Sequence, residues 1–528
     1  MAKYANLIAA VEAAIKTNGT QAITGQVLQN QLKNMISKLG SAYQFGGLVQ
    51  PTDAFSFDTD AKIAFLACTQ GRYPAFGNFS LRSGEVALFI YEGTWKKEII
   101  SYYANTQIYG IRHFFNNASP ELTRIGDADL HRDLPVQSLM RRCVVDDTGA
   151  VRYYLNADDS TKKEDGTAAN LTGADGQVMV EIPAHYRKAS LNTAGGYMDV
   201  EISLYPFEGA IRVPRYLVSA YEATLDREDN KLASVLNTSA KYRGGNNNAD
   251  WDGTYRSLLG LPATNISLTN FRTYGRNRGT GWGCYDYNAH LAIYWLFAIE
   301  YATLNSQKAF NPDLDSTGYH QGGLGPGVTN FSNWANYNSY YPIIPCGFTN
   351  SLGNKTGVKT FTLTPEQAAT YGSEHSESVP SYRGIENPFG HIWKWTDGFL
   401  GMGTGEYQEI YVCRDASKYA SVVTSDYVHF STHEAAANGY CKAIVASHPN
   451  LQAEIRVFGD IFDRDDSGSD STYFCDHHYH KNEAGVVYGL QVGGGAVGGA
   501  DAGLAYFYAI NGPALAIAYI GSRLTWSE

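Results

Sequence analysis

Two carboxylates and a knot of Asp and His residues are the parts of this 528-residue chain with types and spacing suited to chemistry. Glu386 and Asp397 lie eleven positions apart, and a carboxyl pair can cleave a glycosidic bond as acid and base. In a block that also looks structural, the same two side chains would serve to hold loops by hydrogen bonds. The stretch 459–482 gathers Asp460, Asp463, Asp465, Asp466, Asp470, Asp476, His477, His478 and His480, the donor types of a calcium or transition-metal site. Its spacing departs from the calcium-loop pattern, so a solvated loop is the favoured reading. Gly493-Gly494-Gly495 lacks the Lys-Ser/Thr and the helix start of a phosphate cradle. Asn246–Trp251 and Trp282–Tyr287 mix aromatics with amides, which suits a glycan groove but equally suits core and turn residues. Seven cysteines (Cys68, Cys143, Cys284, Cys346, Cys413, Cys441, Cys475) form no Cys-x-x-Cys pair, which reads as free buried thiols made in a reducing cytoplasm. The expectation is therefore no cofactor, no metal and no catalytic residue.

The elements that must position these groups are mainly strands. Aromatics make up 13% of the chain and charged residues only 18%, with 54 Gly and 38 Tyr, a balance that favours sheets, turns and Tyr-rich contact surfaces. A net charge of −11 without a Lys/Arg run argues against nucleic acid as a partner. No apolar stretch reaches the ~18 residues of a membrane span, and no secretory signal opens the chain. Residues 4–17 and 25–39 read as short amphipathic helices. Ala61–Ala67, Glu85–Tyr91 and Thr94–Ile100 read as strands, the last two joined as a hairpin through Glu92-Gly93. Val151–Leu155 and Val178–Ile182 are further strands, and the polar 156–176 between them reads as an exposed, mobile loop. Asn288–Thr303 is apolar nearly all round and predicts a buried helix. The fold class expected is α+β and multi-domain. A helical attachment or oligomerisation segment spans 1–45, a small β-rich domain 46–105, a β-rich middle domain 106–208, and a C-terminal domain 209–528.

Three segments carry a family resemblance: Val213–Thr224, Gly384–Gly398 with its Asn387-Pro388-Phe389-Gly390 and Trp393-x-Trp395-x-Asp397-Gly398, and Ile520–Leu524. Together they resemble the formylglycine-generating-enzyme branch of the C-type lectin fold. That branch holds enzymes with a cysteine pair near the chain end, and it holds binding proteins diversified by retroelements. Residues 476–528 contain no cysteine, so the resemblance implies a binder. The alternatives are an enzyme of the lectin-fold oxidase branch, a glycan-degrading tailspike, or a structural prophage or surface protein without a variable site.

The diversified members carry a variable terminal segment, which the resemblance places at 493–524. There, mutated adenines turn an AAC codon into codons for most residues but not for Lys, Gln, Glu, Met or Trp. None of those five occurs in 493–524, although Gln491 and Trp526 lie just outside. The implied ligand-binding face is Ala496, Asp501, Ala505, Tyr506, Tyr508, Ile510, Gly512, Leu515, Ile517 and Tyr519, with Tyr506, Tyr508 and Tyr519 as anchors. An extended Ala514–Tyr519 would turn its Ala side toward the scaffold and Leu515, Ile517 and Tyr519 outward. The first residues, Met1 to Tyr43, resemble the start of tail-fibre proteins from phages of gut Bacteroidales. The two resemblances imply a homotrimer made in the host cytoplasm, carried in the virion, joined to tail components through its N-terminus and binding a bacterial surface receptor, protein or glycan. No membrane insertion is expected.

Overall fold

The computed structural model describes residues 44–54, 62–67, 71–81, 87–99, 107–192, 194–434, 438–440 and 468–528. The helices expected at 4–17 and 25–39 lie outside the described residues. The chain divides into two compact units, 1–107 and 108–528.

The first unit holds a four-stranded sheet in the order Gln44–Val49, Ile63–Ala67, Ala87–Tyr91, Trp95–Ile99, parallel between the first two strands and antiparallel thereafter. The expected hairpin forms, with the Glu92 N–H donating to the Thr94 carbonyl and Gly93 at a positive φ that Gly alone adopts freely. Phe65, Tyr73, Phe76 and Phe89 fill one face in edge-on contacts of 4.9–5.1 Å.

The second unit is built on three large sheets. A five-stranded antiparallel sheet runs Ile211–Val213, His185–Asn192, Tyr197–Ser203, Tyr109–Phe114, Thr123–Gly126. A six-stranded sheet runs Val151–Tyr154, Arg141–Val145, Gln177–Ile182, Tyr216–Ser219, Leu524–Ser527, Trp282–Cys284. Its inner strands read as apolar runs because both faces are covered: Cys143 to Val145, Val178 to Val180, and Leu217 and Val218 have no exposed surface. Where the sequence reading separated 106–208 from 209–528, this sheet runs across the point, since Gln177–Ile182 pairs with Tyr216–Ser219. The 156–176 stretch is stitched locally by Asp159, Asp165 and Asn170, each accepting from the residue two positions on, and Ser160 and Leu171 within it are buried.

The helix Tyr287–Tyr301 is buried at every residue except Asn288. Asp286 caps it by accepting from the Ala289 N–H, and Ala302 ends it in the left-handed region. Against this helix packs the third sheet. It runs Val428–Glu434, Tyr407–Val412, Trp393–Gly403, Val487–Val492, Phe507–Asn511, His477–His480, Gly439–Tyr440, and the short Ile520–Gly521 joins the Trp393 strand in parallel. Strands dominate, and the described helices are few and mostly short.

Candidate binding site

The three segments singled out in the sequence meet around buried charges. Arg523, with no exposed surface, donates to the carbonyls of Ser219 (3.1 Å), Asn387 (2.7 Å) and Glu386. Glu222 faces His391 and Lys394. Its carboxylate accepts from His391 Nδ1 at 2.5 Å and pairs with Lys394 Nζ at 3.0 Å. The backbone N–H groups of Ile343 and Ile344 donate to His391 Nε2, which places the ring proton on Nδ1. Lys394 spends its other two donors on the carbonyls of Gly390 and Ile392. Burial pushes the Glu222 carboxyl up, and His391, Lys394 and Arg523 outweigh burial and hold it at about 2. Burial pushes Lys394 down to about 8 against the pull of Glu222. Glu386 accepts from Gly347 N, Thr349 N and Thr349 Oγ1, and Asp397 is gripped by Arg272 at 2.6 and 2.9 Å. Both carboxyls are 2% exposed and fully engaged, so they hold loops together.

This frame fixes the path of the terminal segment. Gly493 and Gly494 turn the chain at positive φ, and a Cβ on Gly494 would sit 2.8 Å from the Tyr506 ring. The loop that follows is pinned by residues the sequence did not single out. His290 Nε2 donates to the Leu504 carbonyl (2.8 Å), Ser306 Oγ accepts from Leu504 N, and Gln307 donates to the carbonyls of Gly499 and Ala502. Asp476 accepts from Ala505 N at 2.7 Å. Burial drives His290 down to about 4, so it stays neutral, and burial drives Asp476 well up.

Above the loop opens a cavity of about 370 Å3. Asp501, Tyr506, Tyr508 and Tyr519 line it from the terminal segment. Remote elements bring the other rings: Trp334 from the short helix Trp334–Asn338, Tyr340 from the turn after it, Trp393, and Tyr479 from the strand His477–His480. Ser339 and Tyr340 both sit at positive φ, at 58° and 66°, a strained turn that sets the Tyr340 ring edge-on to Trp334 and to Tyr519. Trp393 contacts Tyr506 at 4.6 Å and Tyr508 at 5.0 Å, and Tyr479 contacts Tyr508 at 5.0 Å. Val497, half exposed, stands at the rim. Burial pushes the hydroxyls of Tyr479, Tyr506, Tyr508 and Tyr519 up, so all four stay protonated at neutral pH. Asp501 Oδ1 accepts from the Tyr440 hydroxyl at 2.6 Å and has no Lys or Arg partner among the described residues. Gln491 forms part of the wall without exposed surface, and neither end of its amide finds a hydrogen-bond partner among the described residues. No Ser, Cys, His, Lys or Arg is among the described lining residues.

Six of the ten expected face residues do not line the cavity. Ala496 and Ala505 are buried, Ala496 in a satellite core beside Phe331 and Trp334. Ile510, Gly512, Leu515 and Ile517 are half-buried and lie outside the cavity lining. The expected alternation at 514–519 is reversed at its start: Ala514 and Ala516 are exposed, and Leu515 and Ile517 pack against the core. The reason is that 512–519 forms an irregular loop, with the Ile517 carbonyl taking the Asn265 N–H, so no two-residue period operates. The larger side chains gain more by leaving water. Trp334, Tyr340 and Tyr479 escaped the sequence reading because only tertiary folding joins them to 493–524. Trp393 was visible only as part of the Trp-x-Trp block.

Among the described residues, no cysteine and no Asp or His of 468–482 lines the cavity. Cys143, Cys284, Cys346, Cys413 and Cys475 are free, and burial pushes each thiol up, away from the reactive thiolate. Residues 459–467 lie outside the described residues. Among the described residues no group of three or more His, Cys, Asp or Glu is placed to hold a metal ion. Among them, too, no helix is long and apolar enough to cross a membrane.

Fold and cavity define a β-rich protein with a preformed, ring-lined pocket at the end of its chain. No family model and no curated protein matches it. Among solved structures it is similar to the Major Tropism Determinant U1 variant, at 11% identity and TM-score 0.23, over 90% of this chain and 86% of that one. The M1 variant follows at 10% identity and TM-score 0.22, over 92% and 98%, and the P3c variant at 11% and 0.22, over 90% and 85%. At these scores the likeness is coarse.

Proposed function

We propose that this chain is a receptor-binding protein of the tail-fibre type, which sets the cells to which a phage attaches. In this reading the C-type-lectin-like display domain lies in the unit 108–528, sharing its six-stranded sheet with residues before 209, and 493–524 is its retroelement-diversified segment. The N-terminal part joins virion tail components, and the chain works as a homotrimer whose repeated weak contacts add up to avidity. The partner is a bacterial surface receptor, protein or glycan, and the mechanism is recognition without chemistry.

One observation carries the reading. Asp501, Tyr506, Tyr508 and Tyr519 meet remote rings in a concave pocket of ligand size, over a frame held by Arg523, Glu222, Lys394 and Glu386. Exchanging the four leaves that frame's hydrogen bonds in place. Tyr and Trp supply rigid contact area at low entropic cost. Sequencing the end of the gene in independent isolates tests the diversified segment. Differences should concentrate in the codons for 493–524, at positions such as Asp501, Tyr508 and Tyr519. They should spare Gly494 and Arg523, and a near-copy with adenines at the changed positions should lie nearby. Codons that vary no more than those of 107–192 would remove that part of the proposal.

A further inference from the structure

We propose that the pocket takes a guanidinium group, the arginine side chain of a protein receptor. The inference rests on the pocket being the receptor-binding surface. Three features of its wall point one way. The first is ring faces: Trp393, Tyr506, Tyr508 and Tyr479 crowd together at 4.6–5.0 Å, and neutral aromatic faces attract a cation. The second is charge. Asp501 brings a carboxylate into a wall without Lys, Arg or His among its described residues, and its one described partner is the Tyr440 hydroxyl. The third is Gln491, whose buried amide is left without a partner. Its Oε1 lacks the donor that a bound cation's N–H can supply, and a buried acceptor left unmet is costly.

These features separate the candidate cations. A quaternary ammonium would satisfy the rings and the charge, but it has no N–H for Gln491 Oε1 or for the free lone pairs of Asp501. A guanidinium is flat enough to lie on a ring and carries five donors, enough for Asp501 and Gln491 together. A neutral sugar would leave the carboxylate without a counter-charge. The chain itself uses the same arrangement elsewhere. Arg112 lies 3.8 Å over the Tyr197 ring while Asp199 accepts two hydrogen bonds from it, at 2.7 and 2.8 Å. Arg141 lies 3.3 Å over Tyr154 beside Glu181. The pocket presents the ring and the carboxylate of that motif and lacks the arginine.

The experiment titrates the full chain calorimetrically with N-acetyl-L-arginine methylamide and with its neutral isostere, N-acetyl-L-citrulline methylamide. The arginine probe should bind at least tenfold more tightly. Asp501→Asn should cost about tenfold for arginine and leave citrulline unchanged. Equal binding of the two probes would overturn the inference, and so would arginine binding that ignores Asp501→Asn. Choline or a lysine probe binding as well as arginine would defeat the guanidinium assignment, and a methyl glycoside binding in its place would make the pocket a glycan site. In each of these outcomes the receptor-binding reading survives. Because the probe comparison uses the unaltered chain, it does not depend on a variant folding. If no probe binds, the inference fails, and adsorption with Tyr508→Ala decides whether the reading fails with it.

Discussion

Lys394 carries a charge with no exposed surface, and its three donors meet Glu222 and two carbonyls. Removing one member of such a set strands the others, which typically costs about 3–5 kcal/mol. Lys394→Met should therefore lower unfolding free energy by that order in chemical denaturation, and Glu222→Gln/Lys394→Met together should cost less than the sum of the singles. A loss below about 1 kcal/mol for the single variant would show that the cluster does not hold the frame. The same cluster sets an acid limit. Folding lowers the Glu222 carboxyl from 4.5 to about 2, so between those values the unfolded chain binds more protons than the native one. Stability from this group is complete above about pH 4.5 and drains as pH falls toward 2. The shift corresponds to about 3 kcal/mol. Denaturation midpoints measured from pH 6 to 2 should fall in that window for the unaltered chain and fall less for Glu222→Gln.

At the scale of elements, the buried helix, the hairpin and the loop-holding part of Glu386 and Asp397 were legible in the residues. Tyr287–Tyr301 is apolar on every side, and only a core helix tolerates that. Glu92-Gly93 between two β-rich runs specifies a turn. What was not legible is the pocket's far wall, because Trp334, Tyr340 and Tyr479 lie remote in sequence and carry no shared spacing. The side-chain polarity of 512–519 was also hidden: alternation is informative only where the backbone is extended, and here it follows loop hydrogen bonds to the Pro513 and Ile517 carbonyls. The reversal is testable. Leu515→Ala should cost about 1–2 kcal/mol through lost burial. Ala514→Ser and Ala516→Ser should each stay within about 0.5 kcal/mol. Equal, negligible effects at all three positions in thermal denaturation would restore the outward-facing arrangement.

At the scale of the whole molecule, the two compact units separate the β-rich start of the described chain from the part that carries the pocket. The terminal strand Leu524–Ser527 sits inside the six-stranded sheet between Tyr216–Ser219 and Trp282–Cys284, so the chain end is locked into the core a few residues beyond Tyr519. A surface anchored on both sides in this way can exchange side chains without moving its supports. The most direct measurement is competition for adsorption: soluble full-length chain is mixed with host cells before virions are added. The account predicts that the unaltered chain blocks adsorption. The Tyr508→Ala/Tyr519→Ala variant, folded by circular dichroism, should require at least tenfold more protein for the same block. Equal blocking by the two proteins, or no blocking by the unaltered chain, would contradict the assignment of this pocket as the receptor contact.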